Sequence, residues 1–158
     1  MKVASISEIK NEIENIPAKE LKLLCLRLAK FKKENKELLT YLLFESNDPD
    51  TYLKNVKEEI DLGFEDLPKP NIYWTKKALR KILRSLSKYI KYIGSTEAEI
   101  EILLHFTTTL KQSSIPYKRT AALSNIYDSQ VKKIKKAIES LHEDLQFDYS
   151  RMLAELES

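Results

Sequence analysis

The stretch SLHEDLQFDY, residues 140–149, brings more chemically competent side chains together than any other part of this chain. His142 is one of two histidines, and an imidazole can act as a general base or as a metal ligand. Asp144, Asp148 and Tyr149 follow it closely in sequence. This pattern raises the question of whether the stretch forms a carboxylate-assisted histidine or a metal site.

The spacing within this stretch argues against both kinds of site. A metal-binding helix needs a second imidazole or carboxylate three or four positions from the first. His142 has Leu145 and Gln146 at those positions. On a helical wheel it lies at the edge of an apolar stripe, whereas Glu143 and Asp144 point away from the centre of that stripe. We therefore interpret His142 as a packed or half-exposed aromatic residue, not as a ligand or a general base.

The other reactive side chains are isolated in sequence. His105 lies opposite the apolar face of its helix, beside a run of threonines, which indicates a surface residue. Cys25 lies inside the apolar run LKLLCLRLA, where a free cysteine is typically buried as a small hydrophobic residue. Two glycines in the whole chain are too few for a glycine-rich phosphate loop.

These observations predict a protein that is not an enzyme, with no catalytic residue, no cofactor and no metal site. One alternative stays open, because a sequence does not show which helices touch one another. His142 or His105 could meet carboxylates that project from a neighbouring helix.

The composition is typical of a helical protein. The chain of 158 residues is 42% hydrophobic and 32% charged, is rich in Leu, Ile, Lys and Glu, and has two glycines. We predict an all-α fold of about eight helices in a single domain, 1–158. The net charge of +3 is too small to demand a polyanionic partner.

Start and stop signals divide the chain into helices joined by short connections. The longest predicted helix runs from about Trp74 to Ile93 and ends at Gly94. The last long helix is predicted to carry apolar residues from Val131 to Leu145. The start signals are Ser5 with Glu8, Pro17, Asp48 with Pro49, Thr96 with Glu99, and Asp128 with Ser129.

An internal repeat suggests how the helices are arranged. Residues 52–67 and 130–145 match in their apolar positions and in several charges. The match predicts two tandem helical units, 17–67 and 75–146, packed as an α-α superhelix or a short solenoid-like bundle. In this alignment Phe64 stands opposite His142, so an aromatic ring is retained where imidazole chemistry is not.

The least ordinary feature is a basic stripe on the helix predicted at 74–93. Residues 67–96 contain no Asp or Glu, and five cations follow one face of the helix. The stripe is either a solvated surface that faces the acid-rich stretch 45–66, or a binding site for an anion or a partner. Its residues are Lys77, Lys81, Arg84, Lys88 and Lys91.

The hydropathy pattern predicts no membrane partner. The sequence has no run of about 18 apolar residues, the length that a membrane span requires. Met1-Lys2-Val3 leads directly into polar sequence, without the apolar segment of a signal peptide. We expect a cytoplasmic protein.

Three stretches carry a resemblance to a known group of proteins. They are LAKFKKENKELLTYLLFES at 28–46, LRKILRSLSKYIKYIG at 79–94, and SLHEDLQFDY. They resemble stretches in a family of uncharacterised small all-helical bacterial proteins with no assigned activity. The resemblance implies a bacterial cytoplasmic protein and supplies no functional residue.

The sequence predicts a non-enzymatic helical protein-protein interaction module, because tandem helical pairs present a surface for a partner and no catalytic group converges. The alternative is weak, sequence-independent binding of nucleic acid or another polyanion through the basic face of helix 74–93. No known nucleic-acid-binding motif supports that alternative. The oligomeric state is left open.

Overall fold

A computed structural model describes residues 1–68 and 71–158 of the chain. In these two ranges the protein has eight α-helices and no β-strand, which confirms the predicted all-α fold. A π-helical turn at Tyr41–Glu45 follows the third helix, and a 3-10 turn at Tyr117–Arg119 precedes the seventh. The helices are α1 (Ile6–Glu14), α2 (Ala18–Phe31), α3 (Lys33–Thr40), α4 (Pro49–Glu65), α5 (Ile72–Ile93), α6 (Thr96–Gln112), α7 (Ala121–Glu139) and α8 (Glu143–Glu157).

The chain forms two compact units, unit 1 (Met1–Phe44) and unit 2 (Glu45–Ser158). The boundary between them falls inside 17–67, the first of the two predicted repeats. The compact units and the predicted repeats therefore have different limits. The duplication stays a prediction.

Local capping chemistry places several helix ends where the sequence predicts them. The Ser5 hydroxyl accepts a hydrogen bond from the Glu8 amide at 3.3 Å, and the Glu8 carboxylate accepts one from the Ser5 amide at 2.7 Å. The bonds that the Glu8 carboxylate accepts from the Ser5 amide and the Ser5 hydroxyl hold the pKa of Glu8 below its ordinary value. Asp48 caps α4 by accepting from the Thr51 amide at 3.1 Å. Gly94 ends α5 in the left-handed region, with φ of 63°.

Two predicted starts are displaced by one residue. Pro17 is the N-cap of α2, where the sequence pattern predicts the first helical position. Ser95, not Thr96, caps α6, and its hydroxyl accepts from the Ala98 amide at 3.3 Å. Both Ser95 and Thr96 are good caps, so their order in the sequence does not decide between them.

The predicted course of the last two helices is wrong. Asp128 does not cap a helix, because α7 already begins after Thr120 and continues through Asp128. The Asp128 carboxylate instead accepts from the Ser124 hydroxyl, one turn earlier, at 3.0 Å. Nor does one helix run from Val131 to Leu145, since α7 ends at Glu139 and α8 begins at Glu143.

Unit 1 has almost no buried side chain. In α1, α2 and α3, all of which the structure describes, no residue is buried. Tyr41, in the π-helical turn, is 6% exposed. The corner between α2 and α3 is fixed by the Asn35 side-chain amide, which donates to the Leu28 carbonyl at 2.8 Å.

Unit 2 is built around α6. Eight of the 17 residues of this helix are buried, and they cover about two thirds of its circumference. The remaining side carries Glu97, Glu101, His105, Thr108 and Gln112, none of which is buried. Helices α4, α5, α7 and α8 all pack against it. Burial of a large apolar side chain contributes about 1.5–3 kcal/mol, so this helix is the main source of stability in the unit. Its fully buried apolar residues are Ile100, Ile102, Phe106 and Leu110.

Polar contacts fasten the C-terminal part of α8 to its neighbours. The Tyr127 hydroxyl on α7 donates to the Leu156 carbonyl at 2.9 Å. The Lys111 ammonium on α6 donates to the Glu155 carbonyl at 2.6 Å. A cation at this end of α8 also complements the helix dipole. Tyr127 stacks on Tyr117, with ring centroids 4.6 Å apart.

Tyr127 makes stability sensitive to alkaline pH. Burial, followed by the nearby Tyr117 phenol, raises the pKa of Tyr127 to about 12, above the ordinary value of about 10. The protonated phenol therefore favours the folded state, with full effect below pH 10, and this stabilisation is lost as pH rises through about 12. We expect the free energy of unfolding, measured by urea denaturation, to fall across that interval.

Tyr127→Phe should flatten this decline, and at neutral pH it should cost about 1 kcal/mol for the lost hydrogen bond. Part of the decline should remain, because burial and the nearby Glu101 also raise the pKa of Tyr149. Tyr73→Phe is the control, since Tyr73 is 61% exposed. An unchanged alkaline slope in Tyr127→Phe would contradict this account.

Candidate functional site

The predicted basic stripe lies on the solvent side of α5. Lys77, Lys81, Arg84 and Lys91 are exposed, whereas Lys88 is half-buried. The amphipathic pattern of α5 determines this arrangement, because the opposite side of the helix packs against the rest of unit 2. The buried residues on that side are Thr75, Leu79 and Leu86.

The acid-rich stretch 45–66 does not form a salt bridge with every cation of the stripe. In the two described ranges, no carboxylate lies within salt-bridge distance of Lys81, Arg84 or Lys91. Lys81 nevertheless lines a shallow pocket together with Glu59 and Asp66, so it lies beside the acid-rich stretch without a direct salt bridge. The carboxylates of α4 contact other groups: Glu58 pairs with Lys54 at 3.8 Å, Glu59 accepts from the Tyr89 hydroxyl at 2.8 Å, and Asp61 meets His105 at 2.7 Å.

Two aromatic residues stand at the N-terminal end of the stripe. Tyr73 is 61% exposed and Trp74 is 49% exposed, and their rings meet edge to face at 5.3 Å. The Lys77 ammonium lies 5.0 Å from the centre of the Trp74 ring, within the range of a cation-π contact. An exposed cationic face beside accessible rings can contact phosphates and stack on bases.

The structure places His142 at a helix terminus, not on an apolar stripe. It is the N-cap of α8, and its Nδ1 atom accepts from the Asp144 amide at 3.5 Å. The side chain is 77% exposed, so the interpretation of a packed or half-exposed aromatic residue is wrong. The helical-wheel argument fails because the chain leaves the helix after Glu139. The carboxylate beside His142 belongs to Asp144, on the same helix.

His105 does meet a carboxylate across helices. Its Nε2 atom on α6 lies 2.7 Å from the Asp61 carboxylate on α4, and its side chain is 30% exposed. One turn earlier on both helices, the Lys57 ammonium lies 2.7 Å from the Glu101 carboxylate. The two pairs follow the same order along both helices, so α4 and α6 run in parallel. Because the charges alternate, the pairs also fix the register of these helices.

Lys57, Glu101 and His105 line an open groove of about 870 Å³ in unit 2, which α8 completes. A histidine oriented by a carboxylate can serve as a general base when a nucleophile lies at its other ring nitrogen. Here the Lys57, Glu101, Asp61 and His105 side chains are engaged in joining α4 to α6. No group of three or more potential metal ligands occurs in the described ranges. The geometry of the groove thus supports a structural role for its ionic groups.

A second concavity in unit 2, of about 570 Å³, is mainly apolar. Phe64, Leu67, Ile72 and Ile115 contribute to its lining. Thr75, which also lines it, donates its hydroxyl hydrogen bond to the Pro68 carbonyl at 3.2 Å. Among the residues that the structure describes, no charged side chain lines this concavity.

The largest departure from the sequence prediction is the apolar surface of unit 1. Cys25 is exposed, so the prediction of a buried cysteine is wrong. Its helix exposes leucines as well, and the same holds for the helices on either side. The exposed apolar residues of α1 to α3 and the π-helical turn are Ile6, Ile9, Ile13, Leu23, Leu24, Leu26, Leu28, Phe31, Leu38, Leu42, Leu43 and Phe44.

The signal for this surface is visible in the sequence of α2. Its leucines occupy positions 21, 23, 24, 26 and 28, which cover more than the single stripe that a packed surface helix needs. A helix with this pattern has more apolar residues than one neighbouring helix can cover. The positions at three- and four-residue spacing, Leu21, Leu24, Leu28 and Phe31, do not by themselves reveal this excess.

Part of this surface is a concave groove between α2 and α3, named the α2–α3 groove, with a volume of about 580 Å³. We name its apolar lining residues the floor and its lining lysines the rim. Every residue that lines it belongs to unit 1. The floor is formed by Leu26, Ala29, Leu39, Leu43 and Phe44, and the rim by Lys30, Lys32, Lys33 and Lys36.

Comparisons with known proteins add no further constraint. No protein-family model matches the chain, and no curated protein or solved structure matches it either. The resemblance to uncharacterised bacterial helical proteins stays a prediction. Within the described residues, none of the helices combines the length and apolar character needed to cross a membrane.

The pairing between α4 and α6 can be tested by exchanging charges. Lys57→Glu should lower the free energy of unfolding by about 1 kcal/mol, because a repulsive pair replaces an attractive one. Adding Glu101→Lys to the same chain should restore most of the loss, as measured by urea denaturation.

Lys54→Glu is the matched control for this experiment. Lys54 pairs with Glu58 on the same helix, where both side chains are largely exposed, and such pairs contribute only about 0.2–0.5 kcal/mol. If Lys57→Glu costs no more than Lys54→Glu, the contact with Glu101 does not stabilise unit 2.

Proposed function

We propose that this protein is a non-enzymatic helical interaction module that binds a partner protein through the apolar surface of unit 1. The observation that carries the proposal is the contrast within α1 to α3, which bury no residue and expose many large apolar ones. Scattered apolar residues are normal on protein surfaces, whereas a concentration of them marks an interaction site.

Helix stability supports the same conclusion. Helices α1, α2 and α3 have 9, 14 and 8 residues. Isolated helices shorter than about 12–15 residues are marginal in water and depend on the packing of an apolar face. A partner that covers the exposed leucines and phenylalanines of unit 1 supplies that packing.

The groups that could do chemistry favour a binding function over catalysis. His105 and Asp61 hold α4 against α6, and His142 caps α8. Each of these side chains therefore has a structural role that explains its position. On the sequence resemblance, the proposal also places the protein in the bacterial cytoplasm.

The proposal is tested with Phe44, which is 77% exposed and lines the α2–α3 groove. A partner is recovered from native lysate with the full chain, purified, and its affinity measured by calorimetry. Phe44→Gln should weaken binding at least tenfold, because a buried aromatic anchor commonly contributes about 2 kcal/mol or more to an interface.

Phe147→Gln is the matched control, because Phe147 is 69% exposed on α8 of unit 2. The control should leave the affinity unchanged. The proposal is wrong if partner binding is equally insensitive to both substitutions, or if the purified protein turns over a metabolite and recovers no partner.

A second candidate function is weak polyanion binding by the basic stripe. It is favoured by the exposure of Lys81, Arg84 and Lys91 without a carboxylate in salt-bridge distance, in the part of the chain that the structure describes. Exposed aligned cations release condensed counterions when they contact phosphates. Lys77 shares this exposed face, whereas the half-buried Lys88 is outside the group.

Four phosphate contacts by Lys77, Lys81, Arg84 and Lys91 imply a slope of log affinity against log salt of about −3.6 on duplex DNA, at roughly −0.9 per contact. Lys81→Glu, Arg84→Glu and Lys91→Glu combined should abolish binding of a DNA oligomer in a salt titration followed by fluorescence anisotropy. The fold should persist, because these side chains are exposed.

The control replaces three exposed lysines of α7 by Glu and so changes the net charge equally: Lys132, Lys133 and Lys136. This variant should keep most of the affinity for the oligomer. An equal loss in both variants assigns binding to net charge, and absence of wild-type binding at low salt removes this candidate.

A further inference from the structure

We infer that the α2–α3 groove binds an amphipathic helix of the partner whose apolar face is flanked by Asp and Glu. The inference rests on the proposed function and names the chemistry of the partner. It follows from three properties of the groove: its apolar floor, its basic rim and its hydrogen-bonded corner.

The floor of the groove is accessible apolar surface. Leu26, Leu43 and Phe44 are 54%, 59% and 77% exposed. These side chains come from both walls of the groove, so a single inserted element can contact them together. The apolar face of a helix, with anchors at i, i+3, i+4 and i+7, has the shape and chemistry to fill such a groove.

The rim determines the charge of the occupant. Of its four lysines, Lys33 lies 3.5 Å from Glu37, but the Lys33 side chain remains 82% exposed. In unit 1, which is described completely, Lys30, Lys32 and Lys36 have no carboxylate in salt-bridge distance. No acidic residue lines the groove. Carboxylates on both flanks of a docked helix would complement this rim and accelerate its encounter with the groove.

One side-chain hydrogen bond joins α2 and α3 at their corner. The Asn35 side chain donates to the Leu28 carbonyl at 2.8 Å and ties the start of α3 to the end of α2. Lys32, between the two helices, is extended, with φ of −140° and ψ of 147°. This bond favours the arrangement of α2 and α3 that forms the groove.

Other occupants fit the groove less well. An anionic membrane offers the right charge, but a flat bilayer surface does not fill a concave groove between two helices. An added strand needs an exposed sheet edge, and the described residues contain no strand. A helix with acidic flanks satisfies both the shape and the charge.

The test uses the full chain and two synthetic helical peptides that differ only in charge. Both carry leucines at i, i+3, i+4 and i+7; one has Glu on its flanks, and the other has Lys at the same positions. Binding is followed by fluorescence anisotropy at several salt concentrations. We expect the Glu peptide to bind at least tenfold more tightly than the Lys peptide, with an advantage that shrinks as salt increases.

Variants of the rim and floor make the test specific. Lys32→Glu with Lys36→Glu should reverse the preference, so that the Lys peptide binds more tightly, an outcome that unfolding cannot produce. The matched control, Lys132→Glu with Lys136→Glu on unit 2, should retain the wild-type preference. Leu43→Gln should weaken both peptides, because it removes apolar surface from the floor.

Three outcomes would overturn the inference. The first is equal binding of the two peptides, the second is binding of neither, and the third is a preference that the rim variant leaves unchanged. Phosphatidylserine vesicles that bind the chain through these lysines, when neither peptide binds, would assign the groove to membranes instead. If the peptides fail but the cellular partner still requires Phe44, the inference is wrong and the proposed function stands.

Discussion

The burial of α6 is the constraint on which the structure of unit 2 depends. A helix with Ile100, Ile102 and Phe106 fully enclosed needs neighbours around most of its circumference, and four helices supply them. Apolar packing alone would allow these neighbours to slide along α6, because it has little directional preference. The pairs Lys57–Glu101 and Asp61–His105 oppose sliding, since a shift of one turn would place like charges together. Hydrophobic burial thus provides the stability, and polar contacts at its edge determine the register.

Unit 1 is built on the opposite principle. None of its helices is enclosed as α6 is. Helices α1, α2 and α3 contain no buried residue and expose many of their apolar side chains. In the α2–α3 groove, the lysines lie beside the apolar residues of the floor and not on the opposite face of a helix. Unit 2 therefore holds most of the buried side chains, and unit 1 carries the surface that we propose for recognition. The proposed interaction follows from this division between the two units.

Local chemistry in the sequence was sufficient to predict much of the fold. The caps at Ser5 and Asp48 and the left-handed Gly94 involve residues close in sequence, so their geometry can be inferred directly. The break before His142 could not be found, because SLH contains neither glycine nor proline. The contact between His105 and Asp61 joins residues 44 positions apart, and only the packing of the helices determines it.

For the candidate surfaces too, the sequence predicts local patterns but not which side chains are exposed. The five cations of the basic stripe were identifiable from periodicity, but their exposure depends on where the carboxylates of α4 point. Cys25 was assigned to the core because an apolar run usually indicates burial. In α2 the apolar run covers more than one face of the helix, and part of it stays exposed. Whether such residues are buried depends on which helices pack nearby, and a single sequence does not show this.

The scarcity of buried side chains in unit 1 bears on the lifetime of the protein in a cell. Segments with few buried contacts open at little cost in free energy, and proteases cleave chains in such open states. A chain whose α1 to α3 are uncovered is therefore open to cleavage there, while the core around α6 resists it. A partner that covers unit 1 would protect the chain, so the abundance of the protein would follow the abundance of its partner. The exposed surface would then act as a means of matching the amounts of two proteins through degradation of the unpaired copy.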